Sequence, residues 1–250
     1  AQLDNIVAND VQDPQIALTC TSGINDMSDL FSPSNANNAS SFNQNLQHWD
    51  VSNVTDMLAM FASAESFNQP LNNWDVVSVT DMGFMFVNAK SFDQPLNNWN
   101  VSSVTNMDFM FFSAESFNQS LSNWDVSSVT IMNDMFTNSA FNQALNNWNV
   151  SNVTNMSSMF FNADSFNQPL DNWNVSNVTN MNGMFQENSD FNQSIGNWNV
   201  SNVTTMNGMF SNAGSFNQPI NNWDVSSVTD MNRMFSGTTL FNQPLNDWNV

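Results

Sequence analysis

"FNQPLNNWDV" occupies residues 67–76, and nearly the same ten residues start again at Phe92, Phe166, Phe216 and Phe241. Working outward from this stretch, most of the chain falls into one period. All nine tryptophans stand at 49, 74, 99, 124, 148, 173, 198, 223 and 248, a spacing of 25 broken once by 24. The missing residue lies in "MFTNSAF", residues 135–141. Phenylalanine recurs in step at 42, 67, 92, 117, 141, 166, 191, 216 and 241, and methionine pairs run from Met57/Met60 to Met231/Met234. Self-similarity at a short fixed period is the signature of stacked repeats, in which no unit buries its apolar side chains alone and each copy is the partner of the next.

Two local patterns sit inside each unit. In "NWDV" Trp74 and Val76 alternate with Asp75, which predicts a short strand with one buried face. In "SVTDMGFMF" the apolar residues Val79, Met82, Met85 and Phe86 follow the stripe of a short helix. Prolines 70, 95, 169, 219 and 244 share one position, which marks "FNQP" as the turn into the strand. The expected fold is an α/β repeat solenoid, a stack of short parallel strands and short helices, with an all-β parallel β-helix as the alternative. Strands about 4.8 Å apart would place like on like. Phe67, Trp74, Val76, Met82, Met85 and Phe86 then belong to structural ladders, and the asparagines are expected to bridge neighbouring turns amide to amide.

The period covers residues 42–250 as one solenoid. Residues 1–41 read as an N-terminal cap region, with "INDMSDLF" at 24–31 as a degenerate first unit. The C-terminal end reads as uncapped, which would leave a Trp/Val face open to another chain or to more of the same protein.

Composition narrows the partners. Lys90 and Arg233 are the only basic residues against 22 acidic ones, for a net charge of -20. Such a chain cannot assemble the basic groove that phosphate backbones require, so nucleic acid is excluded as a partner. Cations and basic protein surfaces remain open. No apolar run is long enough for a transmembrane segment. Cys20, the only cysteine, rules out an internal disulfide and reads as a small buried hydrophobe.

No column of the repeat supplies catalytic chemistry. His48 is the only histidine, so neither a histidine dyad nor a histidine metal triad can form, and the acids are spread by the repeat rather than gathered into a singular pair. The tryptophans could offer faces to sugars, but their strict register reads as core. The methionines, at helical spacing beside phenylalanine, read as adaptable core filling. Aspartate and asparagine interchange after Trp and before Met. Asp50 with Asp75 and Asp56 with Asp81 are the acidic pairs on neighbouring rungs whose oxygens would suit calcium, the one metal worth testing. The sequons at Asn53, Asn152, Asn177 and Asn202 arise as a by-product of the repeat. Where copies differ, Phe84, Phe109 and Phe112 gather on adjacent rungs. They are the candidate partner-binding residues, either exposed as a docking patch or covered by residues 1–18.

The pattern W-D-V-S-x-V-T-D-M-x-x-M-F-x-x-A-x-S-F-N-Q resembles a bacterial surface-protein repeat of about twenty-six residues. That family occurs in mycoplasma lipoproteins and is similar to the BspA-like leucine-rich repeats. The resemblance covers residues 42–250 and implies a leucine-rich-repeat-like solenoid at a cell surface, with a role in adhesion and no catalytic residues. The expected function is therefore non-enzymatic: an extracellular or cell-surface structural or adhesion protein, or a segment of a longer surface protein or fibre. Its partners would be a protein, a surface glycan or head-to-tail copies of itself. A carbohydrate- or calcium-binding surface module is the alternative, and no other cofactor is implied.

Overall fold

Two short helices open the chain, α1 (Gln2–Asn9) and α2 (Gln15–Leu18), followed by a 3-10 turn at Ala39–Ser41. The structure, a computed structural model, describes residues 2–249. Among these residues the repeats contain no further helix and no strand. They form a regular stack in which each unit meets the next through a single parallel bridge. The bridging column runs Asp26, Asp56, Asp81, Asn106, Ile131, Asn155, Asn180, Thr205 and Asp230.

The helix expected across Val79–Phe86 is absent for a backbone reason. The N–H groups of Met82, Phe84, Phe86 and Asn88 donate to the carbonyls of Asn106, Asp108, Met110 and Phe112 in the next unit, at 3.1, 2.8, 2.9 and 2.8 Å. The N–H groups between them close tight turns instead: Met85 donates to Met82, Val87 to Phe84 and Ala89 to Phe86. A helix would bind every N–H four residues back and leave none for a neighbour. The chain also passes through the left-handed region twice per unit, at Phe84 (φ 58°) and Asn88 (φ 56°) here and at the equivalent residues elsewhere. Such residues break a right-handed helix. A train of three-residue turns puts Val79, Met82 and Met85 on one side just as a helix does, so the apolar spacing alone could not separate the two.

The strand at Trp-x-Val is also absent, although the alternation is real. Trp74 and Val76 are buried and Asp75 is exposed. The backbone here closes turns, Trp74 N–H onto Leu71 and Val79 N–H onto Val76. The link between units comes from the indole: Trp99 Nε1 donates to the Leu71 carbonyl at 2.9 Å and Trp124 Nε1 to Leu96 at 3.0 Å. Each Leu carbonyl thus accepts its own unit's Trp N–H and the next unit's indole.

Inside the turns lies one continuous apolar spine. Phenylalanines form two interleaved columns: Phe86 stacks on Phe92 of its own unit at 4.2 Å and faces Phe111 of the next at 5.6 Å. Tryptophans run parallel beside them, with Trp99 and Trp124 centroids 6.4 Å apart and planes 4° apart. The separations between units fall in the offset-stacked range that aromatic pairs prefer, and the Phe86–Phe92 pair is packed more closely still. Polar side chains bind the outside. Thr80, Thr105 and Thr130 each donate both N–H (2.9 Å) and Oγ1 (3.2 Å) to the threonine carbonyl of the preceding unit. In the "FNQ" turn, Asn68 Oδ1 accepts the Asp93 N–H at 3.1 Å and Gln94 Nε2 at 2.9 Å. The expected amide bridge is therefore Gln onto Asn, with a backbone N–H sharing the same acceptor.

The shortened unit keeps its packing. Ser139 takes the position of the usual alanine, its Oγ donating to the Phe136 carbonyl at 2.8 Å and accepting the Phe141 N–H at 3.4 Å. The Phe136–Phe141 ring distance is 4.1 Å, the same as Phe111–Phe117 in the preceding full-length unit. At the N-terminal end, residues 24–31 form a rung, with Met27, Asp29 and Phe31 donating to Asp56, Leu58 and Met60. The helices close over it: Trp49 Nε1 finds the Ile16 carbonyl, and Gln44 Nε2 binds those of Val11 and Asp13. At the other end Met231, Phe235 and Trp248 are less buried than their counterparts and line an apolar depression of about 410 Å³.

Replacing Trp124 by Phe removes one of the two hydrogen bonds to the Leu96 carbonyl and leaves a void in a buried column. We expect a loss of about 1–3 kcal/mol in unfolding free energy, measured by urea denaturation followed by circular dichroism.

Candidate functional site

With the apolar residues committed to the spine, variation is confined to the outer columns. The column two residues after the first Met reads Ala59, Phe84, Phe109, Asp134, Ser158, Gly183, Gly208, Arg233, and each of these has positive φ. It is the first left-handed corner of the unit, which explains the two glycines. A bulky residue there is a conformational outlier, with a strain of order 1–3 kcal/mol. Phe84 and Phe109 occupy it on consecutive rungs, half-buried and stacked at 4.6 Å with planes 11° apart. Phe112, from the neighbouring column, tilts against Phe109 at 5.5 Å. The sequence-predicted trio is thus one aromatic group in space. The N-terminal segment ends elsewhere: Asn37 Nδ2 binds the Ala8 carbonyl and Gln12 Nε2 that of Ser41, which with the Gln44 and Trp49 bonds ties it to residues 37–49. It closes the end of the stack and does not lie over the phenylalanines. The column of Phe112 does not face outward throughout, because Ala62, Thr137 and Ser211 are buried.

Carboxylates border this group. Asp108 lies across Gly83, with Oδ1 only 2.3 Å from where a Cβ on that glycine would sit, so no larger residue fits there unless the carboxylate moves. This oxygen is buried and has no hydrogen-bond partner. Burial pushes the Asp108 carboxyl above its ordinary value, against a partial offset from the Asn106 amide, and the charges of Asp81 and Asp134 push it the same way. Burial likewise raises Asp134, opposed by bonds from Asn133 and Thr137. Neither acid was marked in the sequence, because each stands once at a variable position. Only the adjacent glycine hinted at a crowded neighbour.

The calcium candidates occupy two columns with one local role. Asp50 and Asp75 each accept, through Oδ1, the N–H of the second residue onward (Ser52 and Val77), and Asp56 and Asp81 do the same for Leu58 and Gly83. These are Asx turns, for which an acceptor oxygen suffices and asparagine serves as well. The Ser52 hydroxyl adds a second bond to Asp50 and holds its carboxyl below the ordinary value. Among the described residues, no three acidic, histidine or cysteine side chains gather as a metal group. The sequon nitrogens are also engaged: Asn53, Asn152, Asn177 and Asn202 donate Nδ2 to Ser22, Ser127, Ser151 and Ser176 carbonyls. Cys20, expected in the core, is exposed beside Ser22, whose hydroxyl lowers the thiol pKa. The tryptophans from Trp49 to Trp223 are 2–4% exposed and offer no ring face to a sugar.

These features define a tandem-repeat protein with a closed apolar spine and polar outer ladders, and no helix among the described residues is long and apolar enough to cross a membrane. The family model described as "Mycoplasma protein of unknown function, DUF285" matches residues 3–116, 94–182 and 168–250, and the chain belongs to that family. Comparison with curated proteins finds no match.

Two outcomes are expected. Asp108→Asn, which installs the residue found at 133, 182, 207 and 232, should raise the melting temperature at pH 7. A carboxyl whose folded pKa is raised destabilises fully above that value, and the effect disappears below its ordinary 3.8. The advantage of the variant over the parent should therefore close as pH falls through that window in paired thermal melts. Calcium should leave the melting temperature where magnesium leaves it, since Oδ1 of each candidate already accepts a hydrogen bond. A calcium-specific rise would place a cation between Asp50 and Asp75 or between Asp56 and Asp81.

Proposed function

We propose that this protein is a non-enzymatic structural or adhesion module of a cell surface or extracellular assembly, and that it meets its partners through the side of the stack. The observation that carries this reading is the division of labour in the repeat. Inward positions hold the same residue types from unit to unit, whereas the first left-handed corner carries Ala, Phe, Asp, Ser, Gly or Arg. A scaffold that holds its shape while its outer residues differ suits recognition. Catalysis would ask for a singular constellation, and the groups with shifted pKa values are aspartates spread over several units and the thiol of Cys20.

We read the architecture as a relative of the leucine-rich-repeat stack in which a one-residue parallel bridge replaces the usual strand. The single bridging column of Asp56, Asp81 and Asn106 beside the buried methionines supports this relation. The density of carboxylates over basic groups favours protein partners that bring positive charge, and disfavours anionic surfaces.

Location is tested by antibody labelling of intact cells of the source organism, compared with permeabilised cells and with cells shaved by protease. Equal labelling of intact and permeabilised cells, lost on shaving, is expected. Labelling that requires permeabilisation overturns the surface assignment.

A further inference from the structure

The aromatic group on the third and fourth rungs combines three features that occur together nowhere else along the outer columns. Phe84 and Phe109 keep large rings at left-handed corners where Gly183 and Gly208 sit without strain. Their stacked rings, with Phe112 tilted against Phe109, stay half-buried rather than sinking into the spine. Acidic residues stand beside them: the Phe84 N–H donates to the backbone carbonyl of Asp108 at 2.8 Å, the Asp108 carboxylate lies against Gly83, the residue before Phe84, and Asp134 takes the corner after Phe109 in the same column. The charges of Asp81 and Asp134 both act on Asp108.

Among the described residues, no basic side chain is paired with this group. Lys90 is paired with Glu65 at 3.6 Å, and Arg233, the other basic residue, stands at the same corner on a rung far along the stack. Ring faces attract cations through their quadrupole. A guanidinium is planar, weakly hydrated and able to stack on a ring while its edge donates to a carboxylate. An ammonium is more strongly hydrated and has no planar face to lay on a ring. A neutral sugar could use the ring faces but would gain nothing from the charge.

We propose that Phe84, Phe109 and Phe112, with Asp81, Asp108 and Asp134, form a docking surface for an arginine-bearing segment of a partner protein. This rests on the recognition role proposed above and names the chemistry of its partner. The rings supply the stacking face, and the carboxylates, with which no basic side chain among the described residues is paired, supply negative charge and their remaining lone pairs. Proton binding opposes the complex, because Asp108 and Asp134 are held toward their neutral forms by burial.

The test uses the whole chain and a short glycine-serine peptide carrying two arginines, beside the same peptide with lysine or with citrulline at those positions. Binding is measured by calorimetry and mapped by amide shifts in NMR spectra. The arginine peptide should bind most tightly, and the perturbed amides should cluster at residues 81–84, 108–112 and 134. The paired change Phe84→Gly and Phe109→Gly installs the corner residue of positions 183 and 208 and leaves the net charge untouched. It should weaken binding by about tenfold or more, which separates the rings from bulk electrostatic attraction. Equal affinity in that variant overturns the proposal, and so does an arginine peptide no better than lysine with shifts spread over all acidic rungs. The map on the unaltered chain decides the matter should the variant fold poorly. Failure here leaves the surface location standing, since intact-cell labelling decides that separately. Arginine binding by a chain found only inside cells would overturn the location and not the docking surface.

Discussion

The structure depends on one constraint: the peptide groups of each unit must find their partners in the units on either side. In the inner units four alternating N–H groups, those of Met82, Phe84, Phe86 and Asn88 and their equivalents, point along the stack and close on the next copy. Threonine N–H groups close on the previous one. Buried peptide groups without partners are costly, so a single unit has no stable existence and its neighbours must repeat its register. The aromatic columns follow from this. Once backbones are locked in register, the only way to fill the interior is with side chains that pack against copies of themselves, and Phe, Trp and Met do so with little adjustment.

The same constraint accounts for where polar residues are interchangeable. A turn whose purpose is to hand its N–H groups to a neighbour leaves other N–H groups uncovered, and short side-chain acceptors take them. Asp50, Asp75, Asn100 and Asp125 all perform this service, as do Asp56, Asp81 and Asn106. Where the acceptor is missing, another supplies it: Thr205 replaces the Asx residue, and Asn182 of the preceding unit accepts both its hydroxyl and the Asn207 N–H. The high acidity of the chain is thus compatible with its fold because many acids are structural acceptors.

The period and the Trp, Phe and Met columns of the core could be read from the spacing of those residues, because burial against identical copies forces them into register. The backbone could not. Val79, Met82 and Met85 at intervals of three satisfy a helix and a chain of turns equally, and only the direction of the N–H groups separates them. Trp74-x-Val76 alternates as a strand does, but its indole rather than its backbone makes the link. The threonine ladder was open to inspection, since Thr recurs at 55, 80, 105, 130, 154, 179, 204 and 229. It leaves no mark on the apolar pattern, because an exposed hydroxyl adds nothing to that pattern. Of the candidate site, the phenylalanines stood out as departures from the repeat. Asp108 and Asp134 did not, since their burial arises from packing between rungs.

Asp93 stands in the column otherwise filled by Asn43, Asn68, Asn118, Asn142, Asn167, Asn192, Asn217 and Asn242, and it accepts the Asn118 N–H and Gln119 Nε2 at the same 3.0 Å. Asparagine side chains hydrolyse slowly to aspartate as a protein ages. Conversion to ordinary aspartate in this column would keep the hydrogen bonds and change the charge, whereas at Asn152 or Asn177, whose amides donate, it would cut a tie between neighbours. The stack therefore carries its own division between positions that can weather chemically and positions that cannot, which bears directly on how long it keeps its fold as it ages.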